Sequence, residues 1–125
     1  MRSARFKGCL GKKAITFLEG TAAAGTVRVF EGFMDFLSAQ VLWPDEAGEP
    51  ALVMNSVALS EQAVVALKDA GLDARLYLDA DPAGDACTER LLSALPGSED
   101  RRNRFHPAKD VNEYLTGLSS GTGLT

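Results

Sequence analysis

The sequence predicts an α/β fold in which helices cover both faces of a four-stranded parallel sheet. Segments rich in β-branched and apolar residues alternate with stretches whose apolar residues recur at helical spacing. This alternation is typical of parallel sheets with right-handed crossovers. The length of 125 residues suits a single domain.

The first half of the chain contains two predicted strands and two predicted helices. Residues 26–30 are β-rich and end at Glu31. The next helix is expected over 33–41, where apolar residues recur at helical spacing: Phe33, Phe36, Leu37 and Val41. After a loop of turn formers, residues 51–54 are all apolar, as in a strand buried on both faces. Ser60 and Gly71 bound a second helix as N-cap and stop.

The second half continues the alternation. Residues 74–78 predict a third strand that runs into Asp79. A helix is expected over 85–95, with its buried side formed by Ala86, Leu91, Leu92 and Leu95. Residues 103–106 are a candidate short fourth strand, and residues 110–115 fit a short helix. We expect residues 1–25 to be a basic lead-in with a candidate edge strand at 14–18, and residues 117–125 to be a flexible tail.

Composition excludes several classes of protein. No apolar run approaches the roughly 20 residues needed to cross a bilayer, and the N-terminal stretch lacks the apolar core of a signal peptide. We therefore expect a cytoplasmic protein without a membrane partner. Cys9, Cys87 and the single histidine, His106, are too few for a structural Cys/His zinc site. Any chemistry is expected to depend on carboxylates.

The distribution of charge is more informative than its sum. A net charge of −4 argues mildly against coating nucleic acid by bulk attraction. The first 13 residues are nevertheless basic, and a second basic cluster near the C-terminal end consists of Arg101, Arg102 and Arg104. This cluster is a candidate nucleic-acid contact. The alternative is that the three arginines are part of a solvated charged surface.

Three acidic residues lie at the predicted strand ends. Glu31 ends the first strand, and Asp79 and Asp81 follow the third, so all three are expected at the carboxyl edge of the sheet, where α/β proteins bind ligands. Two aspartates two residues apart can face one way and repel each other unless a cation lies between them. Hard oxygen ligands suit Mg²⁺. The alternative is a solvated acidic turn in which Asp79 or Asp81 caps the next helix.

Glu31 and Asp35 also have two interpretations each. A glutamate directly after a buried strand is costly unless it is paired, which favours either a helix-capping or a functional role. Asp35 lies in the first turn of the predicted helix, where the helix dipole alone favours an acid.

The glutamate and D-x-D segments resemble a known family. Val-Phe-Glu-Gly-Phe-Met-Asp at 29–35, followed by Asp-Ala-Asp-Pro-Ala-Gly at 79–84, is similar to the paired motifs of the Toprim domain. The form is that of bacterial replicative primases and primase-like proteins of plasmids and mobile elements. Residues 55–60 resemble the loop after the second Toprim strand, and residues 109–115 resemble the segment that closes the domain in primases. The resemblance covers residues 26–116 and implies a Rossmann-like Toprim fold.

This resemblance also implies a function and a site. It implies Mg²⁺-dependent, or Mn²⁺-dependent, nucleic-acid processing by primase-like nucleotidyl transfer within a larger protein. Glu31 would be a general acid/base or a metal contact, and Asp79 and Asp81 would bind the metal. Second-tier candidates are Asp35, Asp85, Lys109 and Asp110. The implied partners are DNA or RNA, nucleotides, and other replication or mobilisation proteins.

Three alternatives stay open at this stage. Only about 25 residues precede the first strand, so the zinc module and basic subdomain of a complete primase are not expected here. The chain would then be an excised domain or a stand-alone minimal Toprim protein. Alternatives to primase-like transfer are a Toprim nuclease and a non-catalytic Toprim module that binds nucleic acid or protein. An unrelated flavodoxin-like domain is the third alternative, although no Gly-rich phosphate loop supports it.

Overall fold

A computed structural model describes residues 15–20 and 25–123 of the protein. The described residues form five strands: β1 (Thr16–Leu18), β2 (Thr26–Phe30), β3 (Ala51–Val53), β4 (Asp73–Tyr77) and β5 (Glu99–Asp100). They form four α-helices: α1 (Phe33–Leu42), α2 (Ser60–Ala70), α3 (Pro82–Ala94) and α4 (Val111–Gly123). Short 3-10 turns occur at Pro44–Glu46, Val57–Leu59 and Arg102–Arg104. The basic N-terminal residues 1–14, including Cys9, lie outside the described residues.

The strands form one sheet in the order β1-β3-β2-β4-β5. The central strand β2 pairs in parallel with β3 and β4, placing Val29 opposite Leu52 and Leu76. β4 pairs in parallel with β5, whereas β1 is antiparallel to β3. The predicted α/β fold with four parallel strands is confirmed, and the candidate N-terminal edge strand is present. The complete sheet is therefore mixed rather than purely parallel.

The fourth parallel strand is not where the sequence predicted it. Residues 103–106 are not a strand; Arg102–Arg104 form a 3-10 turn, and the strand is Glu99–Asp100. The main-chain N–H of Arg101 donates to the carbonyl of Leu76 at 2.9 Å, which marks the end of the pairing with β4. The Asp100 side chain then accepts a hydrogen bond from the N–H of Arg102 at 3.0 Å. This local bond favours a turn over a continued ladder.

Helices cover both faces of the sheet, as predicted. Val27 and Val29 face one side and pack with α2 and α3 through residues such as Leu67 and Leu91. Phe30 faces the other side, where it packs with Ala39 of α1 and Val111 of α4. Because β2 has a buried core on each face, its carboxyl end is held rigidly. Glu31, which directly follows β2, therefore has a fixed main-chain position.

Arg28 is a charged residue inside the central strand. It is 1% exposed. Its guanidinium donates to the Gln40 side chain at 2.8 Å and to the Glu49 carbonyl at 2.6 Å. It also lies 5.7 Å from the ring centre of Phe30 and 5.6 Å from that of Phe36. These contacts compensate a charge that would otherwise be costly to bury.

Helix α1 has an unusual orientation. Most of its large apolar side chains are exposed, at 46% for Phe33, 43% for Leu37 and 65% for Val41. Its buried residues are instead Asp35, Ser38 and Ala39. Asp35 and Ser38 turn inwards because both bond the first turn of α4, as described below. The helical spacing of the apolar residues predicted the helix correctly but did not identify its buried face.

Helices α3 and α4 also differ from the prediction in extent. α3 begins at Pro82, three residues before the predicted start, and Ala86 is exposed rather than buried. α4 extends to Gly123, into the segment whose composition suggested a tail. Within the described part of the chain, no helix is long and apolar enough to span a membrane.

Candidate functional site

The acidic residues that the sequence singled out meet at the carboxyl edge of the sheet. Glu31 directly follows β2, and Asp79 follows β4 by two residues. The main-chain N–H of Asp79 donates to Oε1 of Glu31 at 3.2 Å, so the glutamate side chain spans the gap between the two strand ends. This contact joins residues 48 positions apart in the chain. The predicted convergence of Glu31 with the D-x-D loop, residues 79–81, is therefore present in the fold.

The Asp79 carboxyl group is the electrostatic centre of this edge. Burial, and after it the negative charges of four neighbours, together raise its pKa from 3.8 to about 7. These neighbours are Glu31, Asp35, Asp110 and Asp81. A carboxyl group that is partly buried among four acids holds its proton to a higher pH than an isolated one does. Negative charge is therefore concentrated around Asp79 at this edge.

Glu31 is half-buried and does not cap the helix that follows it. Gly32 is the N-cap of α1, and no side chain caps this end. Burial is the largest cause of a raised pKa at Glu31, while the hydrogen bond from Asp79 works in the opposite direction. The capping interpretation of Glu31 is therefore excluded for α1. Its contact is with the D-x-D loop instead.

Asp81 has a structural role, as one of the sequence alternatives proposed. Its Oδ1 accepts a hydrogen bond from the N–H of Gly84 at 2.7 Å, which makes it the N-cap of α3. Its Oδ2 lies 3.9 Å from the ammonium nitrogen of Lys109. One carboxylate oxygen thus caps the helix, and the other faces the Lys109 ammonium group.

The backbone of the D-x-D loop is held from two sides. The N–H of Ala80 donates to the Lys109 carbonyl at 2.7 Å. On the other side, Gly84 in the first turn of α3 lies against Asp79 so closely that an added Cβ would be 1.9 Å from the Asp79 carbonyl oxygen. Only glycine fits at this position. The small residue in the motif therefore serves close packing of the helix on the loop.

Three of the four second-tier residues join the site. Asp35 is 7% exposed and accepts a hydrogen bond from the N–H of Asn112 at 3.1 Å, while burial raises its pKa to about 6. Asp110 accepts from the N–H of Glu113 at 2.7 Å and so caps the start of α4, and the Glu113 side chain accepts from the N–H of Lys109, the residue before this cap, at 3.1 Å. The helix start thus brings Lys109 and Asp110 to the acidic edge.

Asp85 and the three arginines form ion pairs within the fold. Asp85 pairs with Arg102 at 2.6 Å instead of joining the acidic edge. Arg101 and Arg104 both bind the Glu46 carboxylate, at 3.3 and 2.6 Å, and both donate to the Tyr77 hydroxyl. Nucleic-acid contact by these arginines stays a prediction. Sequence reasoning missed Glu46 and Tyr77, since no local pattern connects them with the arginines.

The donor chemistry of the acidic edge fits a hard divalent cation. Carboxylate oxygens are the ligands that Mg²⁺ prefers, and burial together with the neighbouring acids raises the pKa of Asp79 at this edge. The ligand set is not closed, however. Over residues 15–20 and 25–123, no group of three or more acidic, histidine or cysteine side chains is arranged to hold a metal ion. Mg²⁺ would fill its remaining positions with water or substrate oxygens.

The family model described as Toprim-like matches residues 28–115. The chain belongs to the Toprim-like family. All three primary site residues and all four second-tier residues of this Toprim-like chain lie within the matched range. Among curated proteins, none matches the chain in sequence.

A solved structure shares this Toprim-like fold. The primase fragment of the bacteriophage T7 primase-helicase protein matches with a TM-score of 0.58 and 21% identity. The match covers 83% of this chain and 44% of the T7 fragment. The chain therefore spans less than half the length of that fragment. At this identity the likeness supports the fold, and the predicted relation to the Toprim domain of primases is confirmed at that level.

Proposed function

We propose that this chain is a Mg²⁺-dependent, nucleic-acid-processing Toprim domain that supports primase-like nucleotidyl transfer as part of a larger protein. The main support is the Asp79 carboxyl group, whose pKa is raised to about 7 by burial and by four surrounding carboxylates at the carboxyl edge of the sheet. Uncompensated negative charge at the ligand-binding edge of an α/β fold is what a metal-dependent phosphoryl-transfer site needs.

The proposal assigns roles to three residues. Asp79 and Asp81 hold Mg²⁺, with Mn²⁺ as a substitute, and Glu31 either contacts the metal or acts as general acid/base. The bound metal would stabilise negative charge on the phosphate in an in-line displacement. Burial raises the pKa of Glu31, which is the direction of shift that suits a carboxyl group to general acid/base catalysis. Its bond to the Asp79 N–H holds it at the D-x-D loop.

The substrates under this proposal are nucleotides and a DNA or RNA strand. A cleft of about 450 Å³ opens beside the D-x-D loop and is lined in part by Ala80, Arg102, Asn103 and His106. This volume falls in the range of small-molecule sites. The T7 fragment is named as a primase fragment, and the present match covers 44% of it. Further polypeptide, in the same chain or in a replication or mobilisation partner, would therefore complete the activity.

A second candidate function is a non-catalytic Toprim module that binds nucleic acid or protein. The observation in its favour is that Asp81 and Asp110 cap helices α3 and α4 through hydrogen bonds of 2.7 Å. Acids retained for capping would persist in a domain that had lost its chemistry. The two candidates make different predictions for metal binding.

Metal binding is tested by titrating the protein with Mg²⁺ and following the Asp79 and Asp81 signals by NMR. We expect shifts that saturate in the millimolar range and are confined to the acidic edge. The Asp79→Asn/Asp81→Asn double variant should lose this response. Asp69→Asn is the matched control, because Asp69 is an exposed carboxylate on α2. Absence of any response in the unmodified protein would contradict the metal-dependent proposal.

The same double variant separates the two candidate functions. If the domain is catalytic, the variant should bind a DNA or RNA strand as before in metal-free buffer, while nucleotide transfer in the complete protein is lost. If the domain is an architectural module, binding itself should weaken in metal-free buffer. Binding is measured by fluorescence anisotropy of a labelled strand and transfer by incorporation of labelled nucleotide.

A further inference from the structure

Arg102, predicted as a nucleic-acid contact, forms several hydrogen bonds within the fold beside the acidic edge. Its Nη1 donates to Asp85 at 2.6 Å and to the main-chain carbonyl of Asp79 at 3.4 Å. Its Nε and Nη2 donate to the two carboxylate oxygens of Asp100, at 3.0 and 3.1 Å. Both partners raise the pKa of Arg102, and the side chain is only 19% exposed. Its guanidinium is therefore held inside the fold.

These contacts join the D-x-D loop to the end of β5 and the start of α3. Asp100 is the last residue of β5, Asp85 lies in the first turn of α3, and the Asp79 carbonyl belongs to the loop itself. The planar guanidinium can reach all three at once because its donors are arranged as a rigid fork. The Asp79 carbonyl is thus held between Arg102 and Gly84, whose missing side chain permits the close approach.

We propose that Arg102 is a positioning residue, which fixes the main chain of Asp79 and thereby the direction in which the Asp79 carboxylate faces the acidic edge. This inference rests on the proposed function, because a fixed direction of the Asp79 carboxylate matters for activity only if that carboxylate binds the metal. Residues that orient metal ligands from behind typically change metal affinity by 10- to 100-fold when they are lost. Arg102 is not expected to touch the metal, although its side chain also lines the cleft proposed for the substrate.

Charge and positioning predict opposite effects on metal binding. Removing Arg102 takes away a positive charge and leaves Asp85 and Asp100 unpaired near the D-x-D loop. The more negative potential would by itself tighten Mg²⁺ binding. Loss of the fixed conformation of the D-x-D loop would weaken Mg²⁺ binding. Weaker binding in Arg102→Ala is therefore the signature of lost positioning.

The test compares the unmodified protein with Arg102→Ala by Mg²⁺ titration and by amide hydrogen exchange without metal. We expect Mg²⁺ affinity to fall roughly tenfold. The amides of Asp79 and Ala80, which donate to Glu31 and to the Lys109 carbonyl, should exchange about tenfold faster. The Val29 amide in β2 should keep its exchange rate. Unchanged or tighter Mg²⁺ binding together with unchanged exchange at these two amides would overturn the proposal.

Two further variants act as controls. Arg90→Ala also removes an arginine from an ion pair, here with Glu61, whose side chain is 74% exposed, and it should leave Mg²⁺ affinity and loop exchange unchanged. Arg102→Lys keeps the charge but not the fork, and it is the variant to use if Arg102→Ala does not fold. It should show the same loop exchange defect as Arg102→Ala. Full restoration by lysine would show that charge alone matters and would overturn the proposal.

The outcome remains separable from that of the proposed function. If the unmodified protein does not respond to Mg²⁺, the metal site is absent and the proposed function fails. Hydrogen exchange at Asp79 and Ala80 still decides whether Arg102 positions the loop, since that measurement needs no metal.

Discussion

At the scale of single residues, the acids of the site divide into two that cap helices, Asp81 and Asp110, and three whose pKa values are raised, Glu31, Asp35 and Asp79. Asp81 and Asp110 each accept a main-chain hydrogen bond at the start of a helix. Positive partial charge at a helix N-terminus compensates such carboxylates. At Asp79, by contrast, burial and four neighbouring acids raise the pKa to about 7. Asp79 therefore loses its proton at a higher pH than Asp35 does.

The raised pKa values predict how stability changes with pH in metal-free protein. The pKa values of Asp79 and Asp35 rise from 3.8 to about 7 and about 6, so the folded state binds more protons than the unfolded state between those limits. The contribution of these groups is fully present below about pH 4 and is lost as pH rises to about 7. Asp79→Asn should remove the larger part of this decrease in the free energy of unfolding with pH. Urea unfolding of parent and variant in the presence of a chelator, across this pH range, measures the decrease.

Solvent screening limits the change in the free energy of unfolding that Asp79→Asn can cause. At about pH 8 we expect Asp79→Asn to raise the free energy of unfolding by on the order of 1 kcal/mol, after allowance for screening of a partly exposed group. Near pH 4 the two proteins should have similar stability. Asp69→Asn, the exposed control on α2, should show no such difference between the two pH values. A variant that is less stable than the parent at pH 8 would contradict the raised pKa of Asp79.

At the scale of elements, helix α1 is oriented by polar contacts together with the packing of Phe36, Ala39 and Leu42, while its other large apolar residues stay exposed. Asp35 accepts from the N–H of Asn112 at 3.1 Å, and the Ser38 hydroxyl donates to the Asn112 side chain at 3.1 Å. These bonds turn Asp35, Ser38 and Ala39 inwards and leave Val41 at 65% exposure. The orientation places a carboxylate behind the acidic edge.

This orientation predicts contrasting effects of two substitutions in α1. Val41→Lys should change the free energy of unfolding by no more than about 0.5 kcal/mol, because the side chain is 65% exposed. Ala39→Leu should cost about 1–3 kcal/mol, because Ala39 is 1% exposed and a larger side chain would overpack the core. Urea unfolding measures both. Equal destabilisation by the two variants would indicate that α1 is turned the other way.

At the scale of the whole molecule, the sheet is most stable at its centre and least stable at its edges. β2 is paired on both sides and has a buried core on each face, whereas β1 and β5 are short edge strands of three and two residues. We expect the amides of β2 to have the slowest hydrogen exchange and those of β1 to exchange fastest among the strands. Native-state exchange by NMR measures this order. Protection in β1 equal to that in β2 would contradict it.

The cluster around Glu46 acts at this same scale. It connects the turn after α1 with Tyr77 at the end of β4 and with Arg101 and Arg104 after β5. The Arg104 guanidinium also lies 4.7 Å from the ring centre of Trp43. Because several charges share one network with a buried hydroxyl, the cluster holds the sheet edge beside the cleft more firmly than a single exposed ion pair would.

The sequence by itself determined the strands β2, β3 and β4, the four helices and the convergence of Glu31 with Asp79. Apolar periodicity identifies buried elements locally, and parallel strands must place their carboxyl ends at one edge. The Toprim-like identity was likewise readable, since its motifs are short and contiguous. None of these required knowledge of which distant residues touch.

Only the tertiary structure decided which partners the polar residues take. Asp35 faces α4 because of Asn112, 77 positions away, and Arg104 pairs with Glu46, 58 positions away. The fourth parallel strand lies at Glu99–Asp100 because Asp100 turns the chain at Arg102. Hydrogen bonds and ion pairs between distant segments leave no periodic trace in the sequence, so neither the buried face of α1 nor the contacts of Arg102 could be predicted from residue spacing.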